Sequence, residues 1–178
     1  MAAFDATLRP LLWNPDEIVR PFVAEGDSVV DIGCGAGYYA AALSRLIGPH
    51  GELFLVDVQE DMLERSMRRL RRERRDGPAS AGAVPLLSAG DRFDLPGKVD
   101  FALMSWMLHE VERPRILWES VRQYLRPIGK VLVIEPWLHV RRGRFEEEIA
   151  YARDLGFAIT EIDDIFFCHA CVATRGGR

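Results

Sequence analysis

The stretch "VVDIGCGAGYYA", residues 29–40, decides how this chain is read. An apolar run ends on an acid, Asp31, and glycines then stand at 33, 35 and 37. Glycine gives up more conformational freedom on folding than any other residue, so three at every second position need a reason. A strand-to-helix loop supplies one. Without side chains a ligand can approach the main chain, and the helix that follows offers unpaired N–H groups to an anion. The spacing D-x-G-x-G-x-G departs from the dinucleotide pattern G-x-G-x-x-G: the third glycine comes one residue early and an acid precedes the set. No G-K-[ST] follows, which excludes a Walker-type phosphate loop.

Outward from this loop, short β-branched runs alternate with longer amphipathic ones. Strands are predicted over 27–33, 51–58, 84–90, 98–106 and 130–137. Helices are predicted over 38–47, 60–76, 114–125 and 144–156, the third opened by Pro114 and the last closed by Gly156. Pro85 weakens the strand in which it falls. The runs "FAITEIDDIF" and "FCHACVATR" close the chain as an antiparallel pair. Together these predict an α/β fold: a doubly wound, mostly parallel seven-stranded sheet with an antiparallel C-terminal strand and helices on both faces. Ligands of such sheets sit outside the carboxyl ends of the strands, where the glycine loop falls. The organisation expected is one domain over 1–178, with 1–25 a short N-terminal lid segment and 26–178 the cofactor-binding core.

The motif resembles the first motif of the class I S-adenosylmethionine-dependent methyltransferases, and the resemblance runs over roughly residues 22–175. In that family the loop wraps the methionine half of S-adenosyl-L-methionine. The resemblance therefore implies that Asp31, Gly33, Cys34, Gly35 and Gly37 surround that half, Cys34 through its backbone alone. "FLVDVQ" implies Asp57 on the ribose hydroxyls and Val58 beside the adenine. "SAGDRFDLP" is similar to the family's gDxxxLP segment and implies Asp91 facing the adenine amino group, with Arg92 giving a backbone N–H. Ser105 joins this set at the end of the fourth predicted strand. The chain departs from the family at Ile128-Gly129, where two glycines are usual.

The activity implied is in-line methyl transfer to a small-molecule acceptor, with S-adenosyl-L-homocysteine as product. His109 in "MLHEV" is the candidate general base, since imidazole titrates near neutrality. Trp13, Trp106, Trp137 and His139, with His109, are candidates for the acceptor pocket. Two alternatives stand beside this reading: a cofactor-binding scaffold of the same fold without transfer, and another S-adenosyl-type transferase such as an aminopropyl transferase.

Bulk composition narrows the partners. The chain has 178 residues, 48% hydrophobic and 28% charged, with a net charge of −4. That balance argues against general binding of nucleic acid or anionic membranes. The arginines of "ERSMRRLRRERRD" read as the solvated face of a helix whose other face carries Leu63, Met67 and Leu70. No run is long and apolar enough to span a membrane. Three cysteines do not make a disulfide framework, and a cytoplasmic location is expected. "CHAC" (168–171) is half a zinc pattern, but positions i and i+3 of a strand face opposite ways, so no metal is expected.

Overall fold

The computed structural model describes residues 14–75, 81–163, 165 and 167–176. Seven strands form one sheet: β1 (Ser28–Ile32), β2 (Glu52–Asp57), β3 (Ala83–Leu87), β4 (Val99–Ser105), β5 (Leu125–Pro136), β6 (Phe157–Ile162) and β7 (Cys168–Arg175). Their order is β3-β2-β1-β4-β5-β7-β6. β7 runs antiparallel to both of its neighbours and the remaining pairings are parallel. The expected fold class is the observed one. Strand order reverses between β1 and β4, which makes the carboxyl end of β1 the switch point where doubly wound sheets place their ligands.

Helices α1 (Pro15–Val19), α2 (Ala40–Leu46), α3 (Glu60–Arg75), α4 (Pro114–Tyr124) and α5 (Arg142–Asp154) link or flank the strands. Local signals set several ends. Asn14 Oδ1 accepts the Asp16 N–H at 3.1 Å, with Pro15 opening α1. Pro114 opens α4 in the same way. β1 is buried along all five of its residues, as a central parallel strand must be, because helices cover both faces. One apolar cluster lies beneath α4 and α5, built around Trp118, Phe145, Met104 and Val133. The other lies beneath α1, α2 and α3, around Leu43, Ile47, Phe101 and Leu103. Trp118 satisfies its indole N–H on the Glu148 carbonyl at 3.1 Å.

The structure adjusts several boundaries. β5 begins at Leu125, earlier than expected, because Leu125 pairs with Val99 before the register shifts and Lys130 takes up Phe101. Within that irregular stretch Ile128 holds φ +61°, a left-handed conformation costly for a β-branched residue. The glycine usual at this position in the resembling family would avoid that cost. Pro85 is accommodated because β3 is an edge strand. Residues 14–25, part of the segment expected as a lid, pack onto the sheet: Val19 is fully buried and Phe22 stacks on Phe101 with ring centroids 6.1 Å apart. Trp13 lies outside the described residues.

Candidate functional site

A cavity of about 590 Å³ opens at the carboxyl ends of β1, β2 and β4. Its walls come from four segments: the glycine loop (Gly33, Gly35), the end of β2 (Asp57, Val58), the loop after β3 (Ser88, Asp91) and the loop after β4 (Trp106, Met107, Arg113). Each segment leaves a strand at the same edge of the sheet, so the α/β alternation itself brings them together.

The glycine loop is shaped by what lies on its two sides. Gly35 has φ +51°, and a Cβ added there would meet no protein atom within 4 Å. Gly37 has φ +78°, and its added Cβ would fall 2.5 Å from Ser66 Oγ and 2.9 Å from Ser66 Cα on α3. The middle glycine thus keeps the cavity clear, while the last one lets α3 pack closely. Gly33 and Cys34 donate to the Val56 carbonyl at 2.8 and 3.0 Å, tying the loop to β2.

Asp57 is 8% exposed and uses both carboxylate oxygens. Oδ2 accepts the Gly35 N–H and Oδ1 the Gln59 N–H, each at 2.9 Å. It therefore positions the loop while retaining free lone pairs toward the cavity. Val58 is 55% exposed and forms part of the wall, an apolar surface beside the acid. Asp91 is buried and its carboxylate is held by Arg113, with Nε to Oδ2 at 2.5 Å.

Five of the expected cofactor residues line the cavity: Gly33, Gly35, Asp57, Val58 and Asp91. Asp31, Cys34, Gly37, Arg92 and Ser105 are outside its described lining. Asp31 is buried at the end of β1, beneath the loop. Burial, then the nearby Asp31 and Asp57 carboxylates, push the Cys34 thiol far above its usual range, so it is no nucleophile. Cys168 and Cys171 join the clusters on opposite faces of the sheet. Among the described residues no group of His, Cys, Asp and Glu could hold a metal.

The acceptor-side candidates divide into two groups. Trp106 has φ +59°, donates its N–H to the Ile134 carbonyl at 2.8 Å and walls the cavity. His109 and His139 pack edge to face with centroids 6.0 Å apart, beside the cavity and outside its lining. Trp137 is 52% exposed and packs against Phe167. Sequence reasoning missed the residue that organises this side. Glu135, fully buried at the end of β5, accepts the Leu108 N–H at 2.7 Å and faces His109 Nδ1 at 2.5 Å. Arg144 of α5 adds a hydrogen bond to the His109 carbonyl. The bond to Glu135 raises the His109 pKa above its ordinary value, against the opposing effect of burial. A signal was present: like Asp31 and Asp57, Glu135 is an acid at the end of an apolar strand run.

Residues 30–131, more than half of the chain, match the family model described as a methyltransferase domain. The chain belongs to the methyltransferase-domain family. Relatives include a demethylmenaquinone methyltransferase of Halalkalibacterium halodurans, 30% identical over 125 residues, covering 69% of this chain and 49% of the relative. A ubiquinone/menaquinone biosynthesis C-methyltransferase, UbiE, of Pseudomonas entomophila is 31% identical over 126 residues, covering 70% and 47%. The chain spans about half the length of the curated relatives it matches. A SAM-dependent methyltransferase from Aquifex aeolicus shares the fold, with a TM-score of 0.78 at 23% identity over 97% of this chain and 95% of the other. The class I resemblance read from the glycine loop is thus the family to which this domain belongs.

Proposed function

We propose that this domain binds S-adenosyl-L-methionine in the cavity at the β1 switch point and moves its methyl group to a small-molecule acceptor. The observation that carries the reading is the meeting of a bare Gly35, a buried Asp57 bonded to that same loop and a buried Asp91 in one cavity. These groups fit the cofactor's chemistry. The loop leaves main chain open to a polar amino-acid end. Asp57 offers acceptors to vicinal hydroxyls, Val58 an apolar face to a base, and Asp91 an acceptor to an exocyclic amine.

The cofactor, when bound, supplies an electrophilic methyl on a sulfonium. The protein's task is to hold an acceptor atom about 3–3.5 Å from that carbon, in line and away from water. Trp106 and Met107 wall the cavity on the side toward His109. Where the acceptor must lose a proton, His109 Nε2 takes it. Glu135 fixes the tautomer by accepting from Nδ1 and stabilises the imidazolium that forms. The names of the relatives point to a quinone-type ring as acceptor, and the exposed Trp137, Leu138 and Phe167 offer apolar surface to such a body. No described helix is long and apolar enough to cross a membrane. The three cysteines are buried within the core clusters, which fits a reducing compartment such as the cytoplasm.

The test is transfer of a labelled methyl from S-adenosyl-L-methionine to a panel of demethylquinols, phenols and metabolite extracts. Labelled product in a small-molecule fraction is expected. Cofactor binding without label in any fraction would favour the scaffold reading.

A further inference from the structure

We propose that Arg113 is a positioning residue for the base end of the cofactor: it ties Asp91 across the cavity mouth and sets which nucleoside base the site accepts. The inference rests on the cofactor reading above and extends it to a residue given no role so far. Among the described lining residues Arg113 is the one cation, set against Asp57, Asp91, Glu110 and Glu112. Its guanidinium meets both oxygens of Asp91, Nε to Oδ2 at 2.5 Å and a terminal nitrogen to Oδ1 at 3.3 Å. The two side chains belong to different lips of the cavity, one after β3 and one after β4.

Both ends of this tie are anchored. The Arg113 carbonyl accepts the Ile116 and Leu117 N–H groups at 3.0 and 3.3 Å, so the first turn of α4 fixes its backbone. Asp91 sits in a turn closed by the Ala89 N–H on the Arg92 carbonyl at 3.1 Å. The Arg113 side chain is 63% exposed, whereas that of Asp91 is 5% exposed. An ion pair with one solvated partner adds little to folding. Its consequence is directional. A two-point fork fixes the plane of the carboxylate in a way a single ammonium cannot. The remaining lone pairs of Asp91 are then presented to the cavity as acceptors, which suit the amino group of adenine and oppose the carbonyl oxygen of hypoxanthine.

The experiment is calorimetric titration of the full chain with S-adenosyl-L-homocysteine and with its deaminated analogue, S-inosyl-homocysteine. Arg113→Met is expected to weaken adenosyl binding about tenfold and to narrow the adenosyl-over-inosyl preference, with no further loss in an Asp91→Ala background, because the two residues act as one unit. Arg113→Lys is expected to restore the charge without the preference. The Arg113 side chain is exposed, so its replacement leaves the fold intact, and a thermal melt checks this. An Arg113→Met chain that binds within about twofold of wild type, with its base preference unchanged, overturns the proposal while leaving the cofactor reading intact. A wild-type chain that binds neither compound overturns both.

Discussion

At the scale of single residues, two positions separate binding from folding. Gly35 faces open space within the cavity, so Gly35→Val has room in the fold and costs about 1–2 kcal/mol for its left-handed backbone. Its side chain projects where the cofactor would lie, so titration should show a folded chain with no cofactor affinity. Asp57→Ala removes the acceptors proposed for the ribose and frees the Gly35 N–H together. Affinity should fall by about 1.5–3 kcal/mol, the range of hydrogen bonds to charged groups. Unchanged affinity by calorimetry would remove Asp57 from the site. Both residues were legible in the sequence because their chemistry is local: a glycine where a side chain would intrude, an acid where a strand stops. Gly37 was legible as special but not in its role. Its contact is Ser66, on a helix that begins beyond the next strand, and no neighbour along the chain announces that packing.

At the scale of elements, that contact makes a prediction of its own. Gly37→Ala sets a methyl against Ser66 Oγ and Cα and keeps a positive φ. Urea unfolding should show a loss of about 2–4 kcal/mol, overpacking and backbone strain acting together. The loop after β4 is held differently. Glu135 of β5 grips Leu108 and His109, and Arg144 of α5 holds the His109 carbonyl. Because the folded His109 pKa is raised, this contact adds stability in full below the unfolded imidazole value near 6.5. That stability is lost as pH rises through the higher folded value. Activity on acceptors that must lose a proton runs the other way, rising with pH to a plateau above that value. Glu135→Gln should abolish the rise and lower the rate by about 100-fold or more, since the amide donates to Nδ1 and leaves Nε2 protonated. A wild-type rate that is flat from pH 5 to 9 would argue against His109 as the base. Three of the α3 arginines show what that face does. Arg65, Arg68 and Arg69 pair with Asp61, Glu64 and Glu73 one turn away, the pattern of a solvated helix face.

At the scale of the whole molecule, the alternation of apolar runs and amphipathic helices determined a doubly wound sheet, and the spacing of acid and glycines pointed to the strand end where the cavity opens. These follow from the sequence alone because strand period, helix period and turn chemistry are set by neighbours a few residues apart. Ion pairs across the site follow another rule. His109 and Glu135 lie 26 residues apart, Asp91 and Arg113 22 apart, and nothing in either segment names its partner. His109 meets Glu135 because β4 pairs with β5, and Asp91 meets Arg113 because the loops after β3 and β4 converge on one cavity. Side-chain direction in a loop depends on which atoms already fill the other directions. Only the tertiary structure decides that, and with it which buried acid is matched to which base.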